Sequence, residues 1–343
     1  MQKPMGRKHL LVGTERGLYF LPADAPEPLS SPTPLAFDKA DVDPVGRDAG
    51  NPTILYASAN QQELWRSEDR GGQWTKIWEA PKGSRLYTFL AHPAKPGVLY
   101  GGLEPAAVWT TEDGGRSWRE LEALQRVPDK SEWHFFPPRQ AHVRALAVRT
   151  EGTEALYVGI EEGGVYASQD NGKTFDSLNE GIYRDIHKIW PFPEDPNLLF
   201  ATTGDGLYRS TDQGRHWSHI KQGFTRSYTV PLLIDPAPPY TMLVAAAAAP
   251  PPSWDRGERG ADAMIFRSRD RGLTWQTVTT GLPSPQRGMV YCLLGHPHGP
   301  PNSFARLFAG TTDGKIYTSA DQGDHWTLLA SGLPEVYSLL WLL

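Results

Sequence analysis

The sequence predicts an all-β chain folded as a seven-bladed β-propeller of four-stranded blades, with six blades as the alternative count. Three observations point there. The box Ser/Thr-x-Asp-x-Gly-x-x-Trp/Phe occurs six times, as SEDRGGQW, TEDGGRSW, SQDNGKTF, STDQGRHW, SRDRGLTW and SADQGDHW. Its aspartates, Asp69, Asp113, Asp170, Asp212, Asp270 and Asp321, are 44, 57, 42, 58 and 51 residues apart. A basic unit of about 42–45 residues with insertions has the length of a propeller blade. Between the boxes, short runs rich in Val, Leu, Tyr, Thr and Trp alternate with Gly and Pro, as strands and turns do.

One unit shows the order of elements. In residues 86–121, LYTFLAHP, VLYGGL, AVWTTED and WREL read as strands A, B, C and D. The box then lies in the C–D hairpin. Its glycine supplies positive φ without steric cost, its Asp and Ser/Thr can accept the turn's own N–H groups, and its aromatic ring covers the gap to neighbouring strands. Six hairpins need the same turn, so all six aspartates read as structural. The N-terminal HLLVGTERGLYFL reads as strands B and C without a box, and the C-terminal EVYSLLWLL as an orphan strand A. Joined, they make a blade closed by both chain ends, with Val336–Leu342 beside His9–Gly13.

Bulk composition narrows the function classes. The 343 residues suit a single repeat domain over 1–343, and 39% hydrophobic with 11% aromatic content suits a packed core. A net charge of −5 argues against nucleic acid as a partner. The single cysteine, Cys292, excludes an internal disulfide and suits a reducing compartment. The N-terminus has a four-residue apolar run, short of the roughly 7–15 that a signal peptide needs. AAAAAPPP at 245–252 is too short to span a membrane. The expectation is a cytoplasmic monomer with no membrane partner.

Strand direction selects the functional face. If strand A runs down the central channel, the A–B turns and C–D boxes lie at the bottom, and the D–A and B–C loops at the top. Two insertions, at about 124–142 (a D–A loop) and 245–263 (a B–C loop), both fall on the top, and long loops in compact domains tend to be functional. Aligning the strands A by the Pro that often ends them brings Asp38, Tyr87, Arg144, His187, Tyr291 and Tyr337 to one position, with Tyr228 two places out of register. Alternation along each strand would aim these groups into the channel mouth. Convergent polar groups in a concave site mark a binding site. The expected catalytic groups are His187, Asp38, Tyr291 and Tyr337. The expected substrate-binding groups are Arg144, Arg139, Tyr87, Tyr228, Trp133, His134, His142 and Trp254, with the Trp133–Phe136 aromatics as a lid. No spaced metal-ligand motif occurs, so no metal ligand is assigned and the cofactor stays unknown, although His134, His142 and His187 could hold a divalent metal with Asp38 or Glu161.

The box is the Asp-box, or BNR, repeat, and nearly the whole chain resembles the Asp-box propeller superfamily. That group includes sialidases, xyloglucan-cleaving enzymes, sortilin-type receptors and photosystem II assembly factors. The resemblance implies a propeller and no particular reaction, since the fold serves enzymes and binding proteins alike. The expected function is a top-face site for a small polar or anionic ligand, sugar-like or bearing a carboxylate or phosphate, with hydrolase- or lyase-like chemistry. The alternative is a non-catalytic scaffold for a protein partner. A sialidase-like version would draw its arginines from Arg85, Arg144, Arg226 and Arg287, and its tyrosine from Tyr337 with Glu335, or from Tyr291. Against it, the Arg-Ile-Pro motif of that family is missing.

Overall fold

The computed structural model describes residues 9–342 apart from 31, 255–256 and 298–302. The chain is an all-β seven-bladed propeller. Among the described residues there are seven sheets, antiparallel but for one short added strand, and, besides strands, only three short 3-10 turns. The innermost strands A, in blade order, are Val336–Leu342, Val42–Arg47, Arg85–Ala91, His142–Arg149, Ile186–Pro191, Tyr228–Ile234 and Val290–Pro297. Each touches the strand A of the next blade, and the series runs from blade seven through blade one to blade two without a gap. A buried apolar cluster lies between every pair of adjacent blades.

Closure follows the expected route. Val336–Leu342 pairs antiparallel with His9–Thr14, with Leu10 opposite Trp341 and Val12 opposite Leu339. The strands Gly17–Pro22 and Pro34–Ala36 complete blade one. Leu10, Leu11 and Val12 have no exposed surface, so both faces of the joining strand are covered. A two-residue strand, Leu29–Ser30, adds in parallel to the outer edge of blade seven and ties it to blade one.

The six boxes share one turn. In each, the Ser/Thr hydroxyl donates to the Asp Oδ1 at 2.7–2.9 Å. The same hydroxyl oxygen accepts the N–H of the glycine four residues on. The Asp Oδ1 accepts the N–H four residues beyond itself. The residue after Asp and the box glycine both take positive φ, as with Gln213 at 66° and Gly214 at 89°, and the position before the glycine tolerates Arg, Asn, Gln and Gly. The ring then covers the seam with the preceding blade: Trp217 is 6% exposed and donates to the Leu178 carbonyl at 2.9 Å.

These turns hold the carboxyls of Asp113, Asp170, Asp212, Asp270 and Asp321 below the ordinary carboxylate value. The Thr174 and Ser168 hydroxyls and the turn N–H groups hold Asp170 down to about 2, and the His216 ring and backbone hold Asp212 down to about 2. A carboxyl depressed in the folded state stabilises it above its ordinary value, near 4, and that contribution is lost as pH falls through the folded value.

Removing residues 336–343 opens the ring and exposes the edge of His9–Thr14, so the truncated chain should fail to give soluble monomer in size-exclusion chromatography; unchanged melting of a truncated monomer contradicts the closure. Asp212→Ala should lower stability by about 1 kcal/mol in urea titration, since three acceptor contacts go but the turn is half-open to water. The pH dependence of urea midpoints between about pH 4 and pH 2 should be shallower in Asp170→Asn/Asp212→Asn than in the parent chain.

Candidate functional site

A β-bulge near the top of every strand A builds the site. The pairing with strand B skips Tyr337, Asp43–Pro44, Tyr87, Arg144, His187, Val230–Pro231 and Tyr291 in blades one to seven. A bulged residue has no cross-strand partner and is re-aimed relative to its neighbours. Tyr337, Asp43, Tyr87, Arg144 and Tyr291 line the central channel, a cavity of about 510 Å³, together with Lys188 and Cys292.

Two opposite charges face the channel lumen: Asp43 is half-buried at the mouth, and Lys188 is exposed to the channel space. Asp43 and Lys188 both reach the channel space, yet protein surrounds that space on every side. Burial pushes the Asp43 carboxyl up to about 7, with Lys188 and Arg144 opposing the rise and Asp41 adding to it. Burial likewise pulls the Lys188 ammonium below its ordinary value, against the pull of Asp43. Burial and the neighbouring Asp43 also hold the Cys292 thiol in its neutral form.

Above the channel a vestibule of about 430 Å³ opens between the two insertions. Arg139, from the first, and Trp254, from the second, line it with Arg85, Tyr87, Tyr291 and Tyr337, and Asp41, Asp43 and Glu335 bring acids. The aromatic rings form a chain: Trp254 lies 6.5 Å from Tyr291, which lies 5.7 Å from Tyr337. The Arg139 guanidinium sits 5.5 Å from the Tyr87 ring centre and 5.1 Å from that of Phe135. It pairs with the buried Glu104 at 3.7 Å and is itself partly exposed, so a ligand can still reach it. Burial raises the hydroxyl pKa of Tyr291, Tyr337 and Tyr87, so all three are neutral donors at neutral pH.

A buried polar network backs this mouth in blades four to six. Arg144 donates to Glu161 Oε2, which also takes the His142 ring at 3.0 Å. Burial would raise Glu161, but Arg144 and His142 hold it far below the carboxylate range. The Arg144 guanidinium, only 9% exposed, stays charged: Glu161 outweighs the burial that opposes it. Tyr228 bonds to Arg144 and packs its ring 4.7 Å from His187.

Several expected positions change. Asp38 is an exposed turn residue beside the outer strand of blade one. The channel position in blade two belongs to Asp43, because Pro44 sits in the bulge and does not end the strand. His187 has no exposed surface and faces between blades five and six, where its Nδ1 donates to the Thr229 carbonyl at 2.5 Å. His142 is fully buried on Glu161, and Tyr228 is buried beside His187. Trp133 anchors its loop by donating to the Tyr166 hydroxyl at 2.7 Å, and His134 is exposed against its own loop. Phe135 and Arg139, not Trp133 and His134, cover the mouth. The structure does bring together Arg139, Tyr87, Tyr291, Tyr337, Trp254 and, beneath them, Arg144. Of the arginines proposed for a sialidase-like triad, Arg226 is paired with Asp262 and Arg287 with loop carbonyls.

Sequence reasoning missed Asp43 and Lys188. A signal existed for the first: the ring residue lies five before the residue that opens the A–B turn, as Tyr87 precedes His92, Arg144 precedes Arg149 and Tyr291 precedes His296. In blade two that turn opens at Asp48, whose Oδ1 accepts the Gly50 and Asn51 N–H groups. Counting back five gives Asp43. A second cleft, of about 450 Å³, opens between blades five and six beside Phe224, His219 and Arg226. Its Arg226 and Asp262 neutralise each other at 2.7 Å, so the vestibule is the stronger candidate.

Comparison with known proteins agrees with this architecture. A model of the BNR-Asp box repeat matches residues 64–77, and one described as sortilin, neurotensin receptor 3, matches residues 163–284. None of the curated protein sequences matches the chain. Among solved structures, the GH74 xyloglucanase from Xanthomonas campestris is 17% identical, with a TM-score of 0.66, over 97% of this chain and 54% of that one. An ancestral GH74 enzyme is 15% identical, with a TM-score of 0.64, over 88% and 38%. YCF48 bound to D1 peptide is 17% identical, with a TM-score of 0.55, over 89% and 86%. The chain thus spans about half or less of these GH74 structures and most of YCF48. At such identities the likeness is one of fold, and the chain is an Asp-box repeat propeller.

A carboxyl raised in the folded state favours folding below its ordinary value, near 4, and that advantage is lost as pH rises toward 7. Asp43→Asn removes the charge that burial disfavours. It should therefore raise the melting temperature more at pH 8 than at pH 5; an equal shift at both contradicts a titration of Asp43 near neutrality.

Proposed function

We propose that the vestibule binds a small polar ligand with an anionic group, of about the size of one or two sugar rings. The observation that carries this is the meeting of both insertions over one cavity whose wall combines four aromatic rings with the Arg85 and Arg139 guanidinium groups. Trp254 and Tyr291 offer apolar faces for a ring, Arg139 and Arg85 offer charge-assisted donors for a carboxylate or phosphate, and the phenols offer neutral donors. Arg144 is committed to Glu161 and positions the wall.

Hydrolase- or lyase-like chemistry rests on Asp43. A carboxyl near 7 at the cavity floor, with Asp41 close by, suits a general acid that is protonated at neutral pH. His187 takes no part, since its ring is enclosed between blades. Sialidase-like hydrolysis is disfavoured by the scattered arginines. The GH74 likeness is compatible with a carbohydrate ligand, although the xyloglucanase is a longer chain, of which this one spans 54%.

The scaffold alternative has one specific support. YCF48, a match over most of its own length, is known in a peptide complex. The same vestibule would then hold a peptide side chain or carboxylate, with the exposed Phe136 beside it.

Binding is to be measured by calorimetry with uronic-acid disaccharides, sugar phosphates and acidic peptides. Arg139→Ala should leave melting nearly unchanged and weaken the best ligand by about 1.5 kcal/mol, roughly tenfold, the low end for a charged hydrogen bond because the group is partly exposed. Tyr291→Ala should weaken it too, while Asp43→Asn should spare binding and abolish any turnover. Binding unaltered in Arg139→Ala and Tyr291→Ala removes the vestibule as the site, and preference for the peptides favours the scaffold.

A further inference from the structure

We propose that Glu161, Asp185 and His187 form a binding site for a divalent transition-metal cation of the zinc or manganese type, at the top of blade five, where Glu161 of blade four approaches the start of its first strand. One ligand atom from each lies within 4.8 Å of the others. Glu161 ends the strand Ala155–Glu161, and Asp185 and His187 flank Ile186 at the start of the next blade's strand A. The site is separate from the vestibule and does not depend on what the vestibule binds.

The hydrogen bonds of His187 point to the ion. Its Nδ1 lies 2.5 Å from the Thr229 carbonyl oxygen, which can only accept, so the proton sits on Nδ1. In the neutral ring Nε2 then carries a bare lone pair. The ring has no exposed surface, and Nε2 has no hydrogen-bond partner. It faces the Asp185 Oδ1 at 3.2 Å, and that buried oxygen also lacks a partner. Two lone pairs held this close repel each other unless a cation lies between them. A proton on Nε2 is poorly placed to do so, because the contact is not aligned as an N–H···O bond. An ion off the line between the two atoms reaches both. Binding of Nδ1–H to a backbone carbonyl while Nε2 takes a metal is the usual arrangement of a ligating histidine.

The third ligand and the ion type follow. Glu161 spends Oε2 on His142 and Arg144, which leaves Oε1 to the ion and fixes the carboxylate from behind. Zinc holds nitrogen and oxygen ligands at about 2.0–2.2 Å, so two ligands on opposite sides are at most about 4.4 Å apart. Closing from 4.8 Å takes movements of a few tenths of an ångström. One imidazole with two carboxylates suits zinc or manganese better than magnesium or calcium, which prefer all-oxygen shells. Gly204 makes room for the site: a Cβ there would lie 2.2 Å from the Asp185 Oδ2, so any side chain would displace that carboxylate.

The test uses the full chain, stripped with chelator and titrated calorimetrically with zinc and then manganese at pH 7.5. The expected result is about one equivalent bound, weakened at least tenfold in Asp185→Asn and in His187→Ala, and unchanged in His134→Ala/His216→Ala, which removes two exposed imidazoles. Asp185→Asn keeps the shape of the side chain, so it serves if His187→Ala does not fold. Nitrogen-15 spectra of the His187 ring in the parent chain add an independent readout. A shift of Nε2 on zinc addition supports the site. A doubly protonated ring at pH 7.5 that zinc leaves unaltered, binding lost in the double surface variant but kept in Asp185→Asn, or no binding at millimolar zinc overturns it.

Discussion

The ring closes only because each second strand lets the next blade's first strand come into direct contact. Gly13 makes the point in blade one: a Cβ there would stand 2.4 Å from the Val42 carbonyl oxygen of blade two and 2.5 Å from Ser338 Oγ. Gly159 does the same in blade four, where a Cβ would meet Ile186 of blade five at 2.6 Å. Both glycines pair with the residue just after the bulge, Ser338 and Ala145 respectively. The space left by the missing side chain is filled by the neighbouring strand. Close packing at the axis and the bulge at the mouth are thus two consequences of one crowding problem: the strands converge, and one residue per strand is displaced where they do.

That displacement decides which residues can act. A bulged side chain has two ways out, inward to the channel or sideways into the seam between blades. Asp43, Tyr87, Arg144, Tyr291 and Tyr337 go inward. His187 goes sideways, because the Thr229 carbonyl of the next strand holds its Nδ1 and the Tyr228 ring covers it. The same register position therefore supplies both a cavity wall and a sealed polar seam, and residue type alone does not say which.

The distinction marks the limit of what the sequence made legible. The blade count, the closure by Val336–Leu342 and the turn chemistry of the boxes were readable because they rest on local rules repeated six or seven times. That Tyr87, Tyr291, Tyr337, Arg139 and Trp254 line one cavity was legible because the ring register and the two insertions stand in the sequence itself. Asp38 was taken for Asp43 because Pro44 was read as the end of a strand, whereas the bulge accommodates a residue without an N–H to give. Lys188 was missed because its neighbour His187 occupied the aligned position and drew the chemistry. Trp133 and His134 were placed over the mouth because an aromatic run was read as a lid, but the Tyr166 hydroxyl draws Trp133 down onto blade four.

Aspartate shows how far environment outranks residue identity in this chain. The box aspartates accept several hydrogen bonds at the solvent edge, and Asp113, Asp170, Asp212, Asp270 and Asp321 are stronger acids than usual, so these five hold turns and have no proton to give. Asp43 sits among few donors inside the ring, and burial makes it a weak acid near neutrality. The bonds that make those five carboxylates repeat thus make them poor proton donors, while the environment of the unrepeated Asp43 favours its protonated form. The vestibule carries the same asymmetry in space. Acids come from the blade one and two side, in Glu335, Asp41 and Asp43, and cations from the blade three side and its following loop, in Arg85 and Arg139. A ligand spanning the mouth would meet a base-lined wall and an acid-lined wall at once. On the proposed reading, an anionic end would turn toward Arg139 and the opposite end toward Asp43, an orientation that would come from insertions and bulges and not from the repeated part of the scaffold.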